Sequence, residues 1–228
     1  MVRLADIRAR GIVELFRGAN FDVGLDRLKA TMREAEDEAN NIRFGQNLEV
    51  PSKTVVYEIL EKLGIEETGE LFDNAWRIYT DSLLTINIEL KPGAGEALRQ
   101  LKTNGYRLGL VSNTAYGEKL RTILKNFGLA RYFDCMLFSD EFGLRKPRPE
   151  IFRAALAEVK TDARQAVHVG DRVDLDVLGA KNAGMFAIYL DADRAPYPEG
   201  FPRPDITVHS LAEVPAAVQE ISLMQSAK

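Results

Sequence analysis

The stretch AVHVGDRVDLDVLGAKNAG, residues 166–184, decides the fold. Its apolar start is too short for a helix and stops at Gly170 and Asp171, and an amphipathic pattern follows at once. This order predicts a buried parallel strand, a tight turn and a helix. Asp171 then stands at the carboxyl end of a strand, where ligands bind in open α/β sheets. Asp174 and Asp176 fall in the first helical turn, where helix capping is the alternative to a divalent-cation site.

Four other apolar runs are also typical of strands. They are RLGLVSN at 107–113, CMLFSD at 135–140, FAIYLD at 186–191 and DITVHS at 205–210. Helical patterns of about 10–15 residues lie between the strands, and this alternation predicts βαβ units. The expected fold class is α/β, with a Rossmann-like, doubly wound parallel sheet over residues 88–228.

Residues 1–87 differ from the rest because they contain almost no strand pattern. Apolar positions recur there at helical spacing in four segments, the third of which opens at Pro51 and ends at Gly64. This predicts a small antiparallel helical bundle as a separate domain. Trp76 and Tyr79 lie at helical spacing, and we assign them to the bundle core rather than to a ligand pocket.

The composition is that of an ordinary globular protein, and it limits the partners. The chain has 228 residues, of which 46% are hydrophobic and 28% charged, and its formal net charge is −4. The acidic balance argues against nucleic acid or an anionic membrane as a partner, and no apolar run approaches the ~20 residues that span a bilayer. A start without a signal-peptide pattern and a single cysteine, Cys135, lead us to expect a cytoplasmic location. Cys135 is expected in the core.

Polar groups follow three of the predicted strands. Ser112 and Asn113 follow the first, and Lys146 lies in the loop after the second. Because parallel strands point the same way, these groups and Asp171 should meet at one edge of the sheet. A hydroxyl, an ammonium and a carboxylate are suited to binding a phosphoryl group together with Mg²⁺. Mg²⁺ is favoured over zinc because we expect no histidine or cysteine near the oxygen ligands. Taken singly, helix capping explains Ser112 and a solvated loop charge explains Lys146.

These residues resemble the motifs of the haloacid dehalogenase-like (HAD) hydrolases, from about residue 7 to the end of the chain. The family's second motif, a hydrophobic strand ending in Ser or Thr, is similar to LGLVSNT with Ser112. Its third motif, a Lys, resembles Lys146 in GLRKPRPEIF, and its fourth, GDxxxxD, resembles Gly170-Asp171 through Asp176. The helical part, residues 1–87, is similar to the family's helical cap.

The resemblance implies a role for each site residue. Ser112 and Lys146 are the implied catalytic groups, which hold the phosphate together with Asn113 and stabilise an aspartyl-phosphate intermediate. Asp171 is implied to ligate Mg²⁺, with Asp176 supporting the metal. Gly170-Asp171 resembles the GD pair of the family's Mg²⁺-dependent phosphatases, which the haloacid dehalogenases replace by other residues. The substrate that the resemblance implies is therefore a small phosphorylated metabolite, a phosphomonoester.

The family's first motif, an apolar strand ending in DxDx(T/V), has no counterpart in this sequence. That motif supplies the nucleophilic Asp and the general acid and base. Asp6 has no apolar strand before it, and Asp22, in the superficially similar FDVG, is interpreted as part of a turn between cap helices. We therefore expect the chain as it stands to be inactive.

The missing strand is expected to leave a gap between the strands that end at Ser112 and Asp171. Unpaired backbone groups there would cost about 1–3 kcal/mol each if buried, which predicts a poor fold for residues 1–228 alone. Three explanations are open. The sequence starts too late, the two flanking strands pair directly, or Met1 to Ala5 or another chain's segment fills the slot.

Other functions compete with an HAD-type phosphatase. One alternative is a non-catalytic relative that binds Mg²⁺ and phosphate, and another is a 2-haloacid dehalogenase-like hydrolase. A phosphorelay receiver gathers similar groups, but the helical first part and the lack of a phosphoacceptor Asp before Ser112 disfavour it. The sequence leaves the substrate and the oligomeric state open, with Arg77, Asn113 and Tyr116 as candidate substrate contacts.

Overall fold

The structure, a computed structural model, describes residues 4–66 and 69–226. Contacts within the chain divide these residues into two compact units. The first, called here the helical unit, comprises the described residues up to Ile88 together with Thr114–Ile123. The second, called the α/β unit, comprises Glu89–Asn113 and the described residues from Leu124 onward. The division falls next to the border expected after residue 87.

The helical unit is built from helices that bury one apolar face each. They are α1 (Leu4–Gly18), α2 (Leu25–Gln46), α3 (Ser52–Leu63) and α4 (Glu70–Asp81), followed by a 3₁₀ turn at Ser82–Thr85. Pro51 precedes α3, and Gly64 ends it with a φ of 74°, the left-handed conformation that glycine adopts without strain. Phe16, Leu28 and Ile59 are among the fully buried core residues.

Two interpretations of the sequence are confirmed in the helical unit. Tyr79 is fully buried in the core of the unit, and Trp76 packs against the same cluster. Asp22 lies in the connection between α1 and α2 and does not follow a strand. All three residues therefore have the structural positions that their sequence context predicted.

The α/β unit contains the strands, and each predicted strand is present. The strands are β1 (Gly109–Ser112), β2 (Cys135–Phe138), β3 (Val167–Gly170), β4 (Phe186–Leu190) and β5 (Ile206–Val208). The helices after α4 are α5 (Ala94–Thr103), α6 (Gly117–Asn126), α7 (Ser139–Phe142), α8 (Pro149–Glu158), α9 (Leu178–Asn182) and α10 (Val214–Ser226). The alternation of strands and helices confirms the predicted α/β class.

The strands form two parallel sheets. In the first, β1 pairs with β2, and Ser112 lies opposite Phe138. In the second, β3 pairs with β4 and β4 pairs with β5, and Gly170 lies opposite Tyr189. Because every pairing is parallel, the carboxyl ends of the strands in each sheet lie at the same edge.

β1 and β3 do not pair with each other in the described part of the chain. All four residues of β3 are only half-buried, whereas three of the four residues of β2 are buried. Direct pairing of the flanking strands, one of the three explanations, is therefore not formed among the described residues. Of the segment proposed to fill the slot, Leu4 and Ala5 begin α1, and residues 1–3 lie outside the described residues.

One backbone group at the open edge of β1 has a side-chain partner. The Leu108 carbonyl oxygen accepts a hydrogen bond from the Cys135 N–H on the β2 side. Successive carbonyl groups of a strand alternate between its two edges, so the Val111 carbonyl, three residues on, faces the open edge. The Lys146 ammonium donates to this carbonyl oxygen at 2.9 Å. The expected cost of unpaired groups in the gap is therefore offset at this position.

The turn after β3 differs from the regular helix that the sequence predicted. Val173–Val177 forms a π-helical turn, and α9 continues directly from it. The Asp176 N–H donates to the Arg172 carbonyl oxygen at 2.7 Å, and the Asp176 side chain is buried. Single π-helical turns are frequent at functional sites, and this turn carries one of the predicted site residues.

Two further expectations concern membranes and the cysteine. Every helix within residues 4–66 and 69–226 is too short or too polar to cross a bilayer. Cys135 is buried, as predicted, and its burial raises the pKa of the thiol to about 11. A thiol with such a pKa is protonated near neutral pH and therefore a poor nucleophile.

Candidate active site

The predicted site residues lie at or after strand ends in the α/β unit. Ser112 is the last residue of β1, and Asp171 directly follows β3. Lys146 lies in the loop between α7 and α8. The side-chain contacts of these residues decide which of them the structure brings together.

Lys146 is held at the carboxyl end of β1. Its ammonium donates to the Val111 carbonyl oxygen at 2.9 Å and to Asp176 Oδ1 at 2.7 Å. Its side chain is only 12% exposed. A solvated loop charge, the alternative that the sequence left open, does not describe this ammonium. Val111 immediately precedes Ser112, so the structure brings the Lys146 charge beside the Ser112 position.

The Asn113 side chain binds the backbone of Lys146. Asn113 Nδ2 donates to the Lys146 carbonyl oxygen at 3.0 Å, and Asn113 Oδ1 accepts from the Lys146 N–H at 2.8 Å. These reciprocal bonds fix the lysine loop to the end of β1. The side-chain amide that was predicted to bind phosphate is therefore already bound to the lysine loop.

Asp176 is a buried carboxylate that accepts hydrogen bonds from three groups. Oδ1 accepts from Lys146 and from His168 Nε2 at 2.9 Å, and Oδ2 accepts from the Arg172 N–H at 3.0 Å. Burial by itself raises the pKa of Asp176, but the His168 hydrogen bond and the Lys146 charge lower it by more, so the pKa lies well below its usual range. The carboxylate is therefore ionised at neutral pH.

Gly170 allows Asp176 to approach β3 closely. A Cβ atom at position 170 would lie 2.2 Å from the Asp176 Cγ atom, far inside van der Waals contact. Space, and not backbone conformation, is therefore what requires glycine at this position.

His168, on β3, is a site residue that the sequence analysis missed. The expectation that no histidine lies near the oxygen ligands is wrong, because His168 Nε2 contacts Asp176. Burial lowers the pKa of His168, and its hydrogen bond to Asp176 only partly opposes this, so the ring is neutral at neutral pH. The signal that could have found it is the strand period of two, since His168 and Gly170 lie on the same face of β3.

Asp171 is exposed and pairs with a lysine that is distant in sequence. Lys91 Nζ lies 3.0 Å from Asp171 Oδ2, and the two side chains are 61% and 55% exposed. Exposed ion pairs of this kind contribute little to stability. Asp174 likewise forms a surface ion pair, with Arg172. The sequence did not identify Lys91, because 80 residues separate it from its partner.

The described side chains do not form a complete magnesium site. Among residues 4–66 and 69–226, no three His, Cys, Asp or Glu side chains are grouped so that they could hold a metal ion. Mg²⁺ takes about six oxygen ligands. The carboxylate of Asp171 is exposed, whereas that of Asp176 is already bound by three donors. Of the two predicted metal residues, Asp171 is thus the one placed to offer an oxygen to an ion.

Sequence comparison relates the chain to known hydrolases. A family profile described as haloacid dehalogenase-like hydrolase matches residues 7–184. Haloacid dehalogenase-like hydrolase domain-containing protein 3 of Xenopus laevis is 34% identical over 142 residues, which are 62% of this chain and 57% of that protein. Glyceraldehyde 3-phosphate phosphatase of Pyrococcus abyssi is 38% identical over 99 residues, 43% of this chain and 41% of that protein. The chain therefore spans about half the length of the curated relatives it matches.

Structural comparison points to the same fold. The crystal structure of a 2-haloacid dehalogenase from Pseudomonas syringae pv. Tomato DC3000 is similar with a TM-score of 0.68. The match covers 96% of this chain and 92% of that one at 23% sequence identity. At this level of identity the likeness shows the fold alone.

Proposed function

Because the chain belongs to the family of haloacid dehalogenase-like hydrolases, we propose that it forms the phosphate-binding part of a phosphatase. The proposed reaction is hydrolysis of a small phosphorylated metabolite, a phosphomonoester. The observation that carries the proposal is the Lys146 ammonium, which is fixed at the carboxyl end of β1 next to Ser112 on a side chain only 12% exposed. A fixed cation beside a hydroxyl donor is suited to binding phosphate oxygens.

The hydrogen-bonding capacity of Lys146 supports this role. An ammonium group has three N–H donors, and two of them point to Val111 and Asp176. The third is proposed to donate to a phosphate oxygen, while the Ser112 hydroxyl and the Asn113 backbone N–H donate to others. The Asn113 side chain keeps the lysine loop in place through its two bonds to the Lys146 backbone.

The proposal assigns no nucleophile to the residues of this sequence. The DxDx(T/V) motif has no counterpart in it, and the carboxylate that contacts Lys146, Asp176, is bound by three donors. We propose that an apolar strand carrying the acid pair, placed along the open edges of β1 and β3, completes the site. Its first Asp would attack the phosphorus and its second would transfer protons. Without that strand, the chain is expected to bind phosphate and not to turn over substrate.

A phosphatase is favoured over a dehalogenase by the fourth motif and by one relative. Gly170 and Asp171 are present, and the resemblance connects this pair with the phosphatases of the family. A relative that is 38% identical over 99 residues is named a phosphatase. The dehalogenase structure supports the fold and not the reaction.

Magnesium enters the proposal through Asp171. Phosphatases of this family generally use Mg²⁺, which supplies charge neutralisation at a phosphate oxygen. The described side chains do not fit a complete site for it, because Asp171 offers an exposed carboxylate and Asp176 does not. We therefore expect weak Mg²⁺ binding by this chain.

The test compares the chain with a version that carries the missing motif. Hydrolysis of p-nitrophenyl phosphate with Mg²⁺ should be absent for residues 1–228 and should appear when an apolar strand ending in DxDxT is fused before Met1. The same fusion with its first Asp changed to Asn should be inactive. Magnesium-dependent turnover by the unfused chain would contradict the assignment of the nucleophile to another segment.

A second candidate is a non-catalytic phosphate-binding protein. It is favoured by the Asp176 carboxylate, whose charge is already offset by Lys146. If phosphate binds to the chain and the fused strand restores no turnover, this second function replaces the first.

A further inference from the structure

His168 is an ionisable residue with a side chain only 14% exposed, and the proposed chemistry gives it no role. It lies on β3 two residues before Gly170, and its Nε2 is 2.9 Å from Asp176 Oδ1. The Phe152 ring packs edge-on against the imidazole, with a centroid separation of 4.9 Å. Gly179 allows Phe152 to occupy this place, because a Cβ there would lie 2.4 Å from Phe152 Cε2. The imidazole is therefore held both by packing and by a hydrogen bond.

The chemistry of the pair decides which imidazole nitrogen carries the proton. The Asp176 carboxylate is ionised and can only accept hydrogen bonds. His168 Nε2 must then be the protonated nitrogen, and the neutral ring has its lone pair on Nδ1. His168 is thus a fixed donor to Asp176 Oδ1.

The same Asp176 oxygen orients Lys146. Oδ1 accepts from both His168 and the Lys146 ammonium, while Oδ2 accepts from the Arg172 N–H. The ammonium in turn reaches the Val111 carbonyl at the open edge of β1. A continuous series of hydrogen bonds therefore runs from His168 on β3 through Asp176 and Lys146 to β1. Because β1 and β3 do not pair directly within the described residues, this series links two sheets of the same unit.

We propose that His168 is a positioning residue for Lys146. It holds the Asp176 carboxylate at the angle at which Oδ1 fixes the ammonium beside Ser112. This inference rests on the proposed phosphate site, because the position of Lys146 is what His168 is inferred to control. Without the imidazole donor, the carboxylate can rotate and the lysine is released from the end of β1.

The experiment uses the full chain and two substitutions that separate packing from hydrogen bonding. His168→Gln keeps an N–H donor near the position of Nε2, whereas His168→Met fills similar space without a donor. Crystal structures of the variants should keep the Lys146 to Val111 hydrogen bond in His168→Gln and lose it in His168→Met. The same bond in His168→Met as in the wild type would overturn the proposal, whether or not phosphate binds.

Phosphate binding provides the functional measurement. Inorganic phosphate is titrated into each protein and the heat of binding is measured by calorimetry. The dissociation constant should rise about tenfold in His168→Met and change little in His168→Gln, since loss of a charge-assisted hydrogen bond weakens binding by about this factor. Thermal melting shows whether both variants are folded. Equal affinities in the two variants would overturn the role of His168, whereas no binding by the wild type would instead contradict the proposed function. In that case the crystal structures still decide the role of His168.

Discussion

The helical unit and the α/β unit each bury a network of charged groups, and the two networks differ in where they end. In the helical unit, Arg43 donates to Glu36 and Glu49, and its guanidinium also reaches the Val50 carbonyl. In the α/β unit, the network of Lys146, Asp176 and His168 ends at the Val111 carbonyl on an open strand edge.

The aromatic residues reinforce the contrast. The Tyr79 and Tyr116 hydroxyls both donate to Glu36, and the Arg8 guanidinium lies 4.2 Å from the Tyr79 ring centroid. Burial raises the pKa of both tyrosines, so they remain protonated donors. The candidate substrate contact Tyr116 is thus engaged within the helical unit. The comparison teaches that buried charge alone does not mark a site, and that the network of Lys146 differs from that of Arg43 by reaching an open strand edge.

The largest expected effect comes from breaking the network of the helical unit. Arg43→Met removes the cation paired with Glu49, whose side chain is fully buried, and loss of one member of a buried ion pair costs about 3–5 kcal/mol. Urea denaturation should show this fall in the free energy of unfolding. Arg99→Met removes an arginine from an exposed pair with Glu96 and should leave the urea midpoint unchanged. Equal effects of the two substitutions would show that the buried network does not stabilise the unit.

The next effect tests the close packing at the predicted site. Gly170→Ala places a methyl group against Asp176, and overpacking of this kind costs about 1–3 kcal/mol. Gly18→Ala is the control, since nothing lies within 4 Å of a Cβ there. Urea denaturation and phosphate titration of both variants should show lower stability and weaker phosphate binding for Gly170→Ala only. Unchanged stability would mean that Asp176 does not occupy the position described.

Much of the fold could be predicted from the sequence because parallel strands are continuous apolar runs and helices have a regular apolar period. The strand ends at Ser112 and Asp171 followed from these patterns. The contacts of Asn113 with the Lys146 backbone did not, since they join residues 33 positions apart. A local pattern carries no information about such pairings.

The burial of Asp176 was the other feature beyond reach of the sequence. The sequence left helix capping and a cation site as the alternatives for Asp174 and Asp176. Both acids lie in the π-helical turn at Val173–Val177, but only Asp176 is buried. His168 was missed for a related reason. The strand period of two places it on the same face of β3 as Gly170, but nothing in the local sequence identifies Asp176 as its partner.

The smallest expected effect is a pH dependence confined to the helical unit. Burial, and a hydrogen bond that the protonated Glu58 carboxyl donates to Glu38, raise the pKa of Glu58 to about 7, although the nearby Lys62 lowers it. Because the pKa of Glu58 is higher in the folded state, its contribution to stability is complete below the unfolded pKa of about 4.5. This contribution is lost as the pH rises through about 7. The melting temperature should therefore fall between about pH 5 and pH 8. Glu58→Gln should flatten this part of the profile and Glu61→Gln, on the same helix, should not. A wild-type melting temperature that rises over this range would contradict the assignment.

The most direct test of the account compares two lysines, Lys146 from the network of the α/β unit and Lys62 from the helical unit. Inorganic phosphate is titrated by calorimetry into the wild-type chain, into Lys146→Met and into Lys62→Met, a lysine of the helical unit that is paired with Glu34 and Glu38. The account predicts saturable binding to the wild type, an affinity at least about tenfold weaker for Lys146→Met, and wild-type affinity for Lys62→Met. Equal affinities for all three proteins, or no binding to the wild type, would contradict the claim that the ammonium at the end of β1 forms a phosphate site.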